Sequence, residues 1–231
     1  MIAQHGAPEG TEKAGFASLP YVAPFGLFLA FLALRGLLSP DVEYPLRVLI
    51  VTAVLLLFSR HVISLKTSRP AASVAVGIGV FLLWIGPDAI WTGYREHWLV
   101  NNALMGAARS SLPEHARVDL FFLFFRIAGS VLLVPVIEEL FWRAWLMRYL
   151  ISPRFETVRL GAYSALSFWV TAALFASEHG PYWDVGLIAG IAFNWWMIRT
   201  RSLADCILAH AVTNACLAVY VISMSRWQYW L

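Results

Sequence analysis

From Val118 to Leu150 runs an apolar stretch far longer than an ordinary buried helix, and two adjacent glutamates, Glu138 and Glu139, stand inside it. As one helix these 33 residues would reach about 50 Å, against a bilayer core of about 30 Å. Such a segment is predicted to tilt strongly, or to break near Gly129 and Pro135, which interrupt helical hydrogen bonding. Further apolar runs cover Tyr21 to Leu38, Leu46 to Leu65, Ala71 to Ile85, Leu160 to His179, Asp184 to Ile198 and Leu203 to Met224. The reading is an all-α polytopic transmembrane bundle of about seven spans; an eighth hidden in residues 88–134 would raise the count. Composition agrees, since only 13% of residues are charged and 60% are hydrophobic, whereas a soluble chain carries about 25% charge. A disordered chain, a collagenous chain and a cytosolic enzyme are excluded.

With 231 residues the chain forms one transmembrane domain, 21–231, behind a polar tail, 1–20, so any chemistry sits among the helices. The tail lacks a basic region leading into a short apolar core, and is read as no secretory signal. The net charge of +3 reflects basic loops, and nucleic acid is not an expected partner. Arg60, Lys66 and Arg69, then Arg148, Arg154 and Arg159, then Arg199 and Arg201 fall on one side if the N-terminus is cytoplasmic. Residues 88–117 are then external and interfacial, with a short amphipathic helix expected from Trp98 to Ala108. The expected setting is the bacterial plasma membrane. Cys206 and Cys216, about 15 Å apart on one helix, are read as small packing residues.

Charge at membrane depth is expensive and marks function. The candidates are Arg126, Glu138, Glu139, Arg143, Glu178, His179 and His210, with Asn194 and Asn214 adding polar groups. Glu139 and Arg143 are i, i+4 and meet on a helix, while Glu138 points about 100° away and lacks an obvious partner. That leaves Glu138 free to act as a general base or proton carrier, or else as part of a helix-end charge cluster in water. His179 stands before Gly180-Pro181, a stop signal, in the last turn of its span; it either joins a site or only complements the helix dipole. His210 and Asn214 share a face at i, i+4, as site residues or as a pair that glues helices. His5, His61, His97 and His115 are expected to be solvated, Arg126 to snorkel to the external interface, and Trp142 and Trp145 to pack. No H-E-x-x-H, G-x-S-x-G, P-loop or G-x-G-x-x-G pattern occurs, so soluble zincin, serine hydrolase and nucleotide-driven chemistries lack support.

E-E-x-x-x-R, F-x-x-x-H and H-x-x-x-N, in this order on separate spans, resemble the CPBP intramembrane proteases, which include the CAAX prenyl endopeptidases. The resemblance covers about residues 118–220. The lead-in Val134-Pro135-Val136-Ile137 to the glutamates is also similar to CAAX-protease-related proteins associated with bacterial exosortase sorting systems. The resemblance implies an intramembrane endopeptidase acting on a membrane-associated peptide or protein. It implies that Glu138 activates water with help from His179, that His210 and Asn214 stabilise the oxyanion, and that Glu139 and Arg143 fix the motif helix. Glu138, His179 and His210 are also a conceivable zinc set; no tightly bound metal is favoured, zinc being the alternative. Nothing in the sequence implies a prenylated substrate. The competing readings are a proton-coupled transporter or binding protein built on the same polar cluster, and a non-catalytic immunity factor. On a rigid, untilted bundle Glu138 lies mid-span, His179 at the outer end and His210 about 10 Å from the inner end, so a common site requires helices to tilt, break or start later.

Overall fold

A computed structural model describes residues 9–102, 106–110 and 112–230. Seven long helices account for the architecture: α1 (Glu9–Ala33), α2 (Pro40–Ser59), α3 (Pro70–Ile90), α4 (Leu120–Tyr149), α5 (Ala165–Ser177), α6 (Trp183–Thr200) and α7 (Leu203–Met224). The chain is an all-α membrane bundle. By length and apolarity α2, α3, α4 and α7 suffice to cross a bilayer, while α5 is a shorter apolar helix. α7 packs against α3, α4 and α6, α5 packs against α6, and α1 lies across α2 and α4. The burial pattern is that of a chain in lipid. Leu120, Phe121, Phe124 and Leu132 of α4 are exposed, while Glu138, Glu139 and Arg143 of the same helix are buried.

Local chemistry explains where the helices depart from the expected bounds. α1 reaches back to Glu9, into the polar segment, and carries Pro20 and Pro24 internally. Pro24 has no N–H to offer the Pro20 carbonyl one turn earlier. The Ser59 hydroxyl of α2 donates to that carbonyl instead, at 2.5 Å. α3 continues past Gly86-Pro87 to Ile90, because a proline in the last turn forfeits only one hydrogen bond. Its Gly77 lets α7 come close: a Cβ there would collide with the Ala209 carbonyl and Val212, and Thr213 donates to the Gly77 carbonyl at 2.9 Å. Small residues at such crossings are how membrane helices approach.

The long α4 does not break. Asp119 caps its first turn, accepting from the backbone N–H groups of Phe121 and Phe122. The helix then widens into π-helical turns at Gly129–Leu133 and Leu140–Leu146, on either side of the glutamates. A widened turn absorbs the missing N–H of Pro135 while the helix runs on. The amphipathic helix expected from Trp98 to Ala108 is not formed by its described residues; 103–105 lie outside them. Asn102 turns its side-chain amide back to the Trp98 and Leu99 carbonyls and pairs its backbone with Gly106. A side chain that competes for backbone groups favours a turn over a helix.

The loops gather at two ends. At one, Ser64, Lys66, Arg148, Leu160, Arg201 and Ser202 surround a common hollow, and Asp205 of α7 binds the start of α3. At the other, Arg95 pairs with Asp88 at 2.8 Å and Asp184 at 2.6 Å, and Tyr229 donates to Asp88 at 2.6 Å. Burial first, and then that hydrogen bond to Asp88, push the Tyr229 hydroxyl above its ordinary value.

Candidate active site

The shortness of α5 decides the depth of the site. Thirteen residues span about 20 Å, too little for a 30 Å core. The helix starts at Ser164, whose hydroxyl caps it by accepting from the Ser167 N–H, and Ser167 ties it to the Met147 carbonyl at 2.7 Å. Its far end, and His179 with it, therefore stops about 20 Å from the Ser164 cap, and His179 lines the same cavity as Glu138. Glu138, eleven residues before the end of α4, lies about 17 Å along its helix from the same side. Gly186 of α6 makes room for the imidazole: a Cβ there would sit 3.2 Å from the His179 Cβ and Cγ.

Glu138, His179, His210 and Asn214, on α4, after α5 and on α7, all line one cavity of about 210 Å³, large enough for several waters. The polar groups fall into an anchored set and a free set. Arg143 donates from Nη1 to Glu139 Oε1 at 3.0 Å and from Nε to Asn194 Oδ1 at 3.1 Å. Asn194 in turn donates to the Phe168 carbonyl at 2.8 Å. The Arg143–Glu139 pair is fully buried, and the guanidinium lies 4.5 Å from the Phe175 ring centre. Glu139 Oε1 also meets His210 Nδ1 at 2.9 Å. Because a carboxylate only accepts, that contact places the hydrogen on Nδ1 and turns Nε2 into the cavity.

Glu138 is the free member. It is 7% exposed, its Oε2 has no hydrogen-bond partner, and the nearest cation-capable atom is His210 Nε2 at 4.0 Å. His179 Nδ1 meets the Phe175 carbonyl at 2.7 Å, which fixes the hydrogen on Nδ1 and leaves Nε2 as an acceptor. The Phe175 ring centre is 4.7 Å from the His179 ring and 6.1 Å from the His210 ring, so one aromatic side chain positions both. Asn214 donates to the Ser130 carbonyl at 2.8 Å, in the first widened turn of α4, and keeps a second N–H.

Donors sharing one zinc at about 2.1 Å stand roughly 3.4 Å apart, and His210 Nε2 lies 4.0 Å from Glu138. Both histidines donate Nδ1–H to a protein acceptor, an orientation that metal-ligating histidines share. Among the described residues no group of three or more His, Cys, Asp or Glu is set to hold a metal ion. Trp142 donates to Glu178 Oε1 at 3.1 Å and Trp145 to the Ser18 hydroxyl at 3.0 Å; both pack outside the cavity. Asn194 was legible as a buried polar group but not as the second anchor of Arg143. Arg47 is not among the sequence candidates; in the structure it pairs with Glu43 one turn earlier. In space Arg35, Arg47 and Arg126 line the same cavity as Glu138.

Residues 120–216 match the family model described as type II CAAX prenyl endopeptidase, Rce1-like. The match, over somewhat less than half of the chain, supports the CAAX protease family. It supports a CAAX-type membrane protease activity in general terms, with a membrane-embedded peptide or protein as substrate. No curated protein and no solved structure matches the chain. The matched segment contains every cavity-lining polar residue of α4 beyond Leu120, of α5 and of α7, together with the Glu139–Arg143–Asn194 anchor.

Proposed function

We propose that this CAAX-type protease hydrolyses its substrate by the glutamate route, with Glu138 as general base. The observation that carries the reading is the contrast between the orphaned Glu138 carboxylate and the anchored Glu139 beside it. A water in the 4.0 Å gap between Glu138 and His210 is within reach of both, and His179 Nε2 faces the same cavity. Glu138 takes a proton from the water as its oxygen attacks the scissile carbonyl carbon. His210 and Asn214 hold the oxyanion that forms, Asn214 through its second N–H. Glu138 then returns the proton to the leaving amine as the C–N bond breaks. Glu139 holds His210 in orientation, and Arg143, Asn194 and the Phe168 carbonyl hold Glu139. His179 orients the water as an acceptor.

The topology expected from the basic clusters, with the N-terminus on the cytoplasmic side, puts the arginine-lined end of the cavity toward the outside. The test is hydrolysis of an apolar peptide library by the full chain in liposomes, read by mass spectrometry. Glu138→Gln is expected to lower turnover about 10³- to 10⁴-fold, at the upper range for a general base, and chelators are expected to leave turnover unchanged. Normal turnover by Glu138→Gln overturns the reading, and loss on chelation with recovery on zinc overturns the glutamate route.

A further inference from the structure

The hollow among the basic loops shares no lining residue with the Glu138 cavity and has a chemistry of its own. Lys66 from the α2–α3 loop, Arg148 from the last turn of α4 and Arg201 from the α6–α7 turn all line it. Segments far apart in the chain thus bring one cation each to the same place. None of the described residues that line it is acidic. It encloses about 430 Å³, within the range of small-molecule sites, about 300–1,000 Å³.

A buried cation is the centre of the arrangement. Arg148 is only 8% exposed, and its guanidinium is held from the protein side. Its Nε donates to the Ala144 carbonyl and its Nη1 to the Val158 carbonyl, two neutral groups that leave the charge uncompensated. Gly161, at φ +72°, lets the α4–α5 loop lie against Arg201, since a Cβ there would come to 3.0 Å from the Arg201 Cγ. Among the described residues no carboxylate pairs with Lys66, Arg148 or Arg201. The neighbouring acid, Asp205, has both oxygens occupied by Ser68, Arg69 and Ser73. Burying a guanidinium without a counter-charge is costly unless an anion completes it.

We propose that this hollow binds the phosphate of an anionic phospholipid, with Lys66, Arg148 and Arg201 as the cations that clamp it. An arginine fork pairs two phosphate oxygens, and a lysine adds a compact point charge. The basic loops of a membrane bundle lie at headgroup level, where basic pockets between helices take anionic headgroups. Val62, Leu160 and Leu203 form an apolar flank of the same hollow, and Leu65 beside Lys66 is 70% exposed. A glycerol backbone with its acyl chains covers such a flank, whereas a free phosphate leaves it wet, which favours the lipid as the source. A bound headgroup ties the α2–α3, α4–α5 and α6–α7 connections together at one end of the bundle. The site stands whether or not Glu138 hydrolyses a peptide.

The probes are dioctanoyl phosphatidylglycerol and dioctanoyl phosphatidylcholine, which carry the same phosphate and differ in net charge. Each is titrated onto the full-length chain in neutral detergent micelles, and bound lipid is counted by native mass spectrometry. One cation near a headgroup contributes about fivefold in affinity. Three of them are expected to make phosphatidylglycerol bind about a hundredfold more tightly than phosphatidylcholine, at one saturable site. Lys66→Gln and Arg201→Gln, both at exposed positions, are each expected to cut that preference about fivefold, and together about twenty-fivefold. Arg148→Gln is expected to cut it as well, and the exposed pair serves if that variant fails to fold. Arg154→Gln removes an equal charge from the α4–α5 loop, outside the lining of the hollow, and is expected to leave the preference unchanged. Equal binding of the two lipids, or binding of neither, overturns the proposal. A loss in Arg154→Gln as large as that in Lys66→Gln also overturns it, since a diffuse positive field then accounts for the preference. Displacement of phosphatidylglycerol by inorganic phosphate at matched concentration overturns the lipid as the source, because the hollow then takes free phosphate.

Discussion

Two buried carboxylates stand at different depths of the bundle and have opposite surroundings. Asp205, at the start of α7, is fully buried, and both of its oxygens are occupied. Oδ2 accepts from the Ser68 N–H and hydroxyl at 2.7 Å each. Oδ1 accepts from the Arg69 N–H at 2.9 Å and the Ser73 hydroxyl at 2.8 Å. Glu138 is nearly as buried and has an oxygen with no donor at all. The charge and the burial are alike, and the neighbours differ. A carboxylate surrounded by donors joins two helices and rigidifies the end of the bundle. A carboxylate that faces a cavity instead is available for a proton.

Substitutions that remove one charge at a time test that contrast. The largest effect is expected at Glu138: Glu138→Gln should cost the 10³- to 10⁴-fold in turnover given above, with a melting temperature that stays level or rises, because no hydrogen bond is lost. Asp205→Asn should do the reverse. An amide NH₂ forced among these donors leaves buried groups unpaired, and a loss of about 3 kcal/mol of stability is expected, read by thermal unfolding, with turnover per folded molecule unchanged. If Asp205→Asn impairs turnover while leaving stability intact, the division between the two carboxylates fails.

Glu139→Gln lies between the extremes. It weakens the hold on His210 and leaves Arg143 with a neutral partner, so turnover should fall about 10²-fold, the scale of a misplaced oxyanion donor, together with a lower melting temperature. The smallest effect belongs to the end of the bundle that carries Asp88 and Arg95. The Tyr229 hydroxyl, held above its ordinary value of 10.0 by burial and by Asp88, contributes stability that is whole below about pH 10. That stability declines as pH rises further, because the unfolded tyrosine ionises while the folded one keeps its proton. Tyr229→Phe should flatten this alkaline decline, at a cost near 1 kcal/mol at neutral pH, visible as melting temperatures of the two proteins that differ at pH 7 and converge above pH 10.

The parts of the site that were legible in the sequence are those fixed by helical spacing. Glu139 and Arg143 meet because i and i+4 always meet on a helix, and Glu138 is left free for the same reason. The alternation of basic clusters likewise foretold which loops gather around the hollow at Lys66, Arg148 and Arg201. Spacing says nothing about where a helix starts, and there the expectations slipped. α5 begins at Ala165, not Leu160, because the Ser164 cap competes successfully with further apolar residues. The widened turns of α4 are equally invisible to a period of 3.6, since they answer to Pro135 and to the Ser130 carbonyl that Asn214 occupies.

By itself the sequence determined the class of the molecule and its ordered trio of polar motifs. Too few charges to coat a soluble surface force the apolar runs into a membrane, and the few that remain inside must be paired or functional. Only the tertiary structure decided that His210 is oriented by Glu139, that Asn194 is the second anchor of Arg143, and that Arg35, Arg47 and Arg126 share a cavity with Glu138. These are contacts between helices distant in the chain. They depend on how far each helix reaches and which face it turns inward, quantities set by caps, close glycine crossings and widened turns acting together.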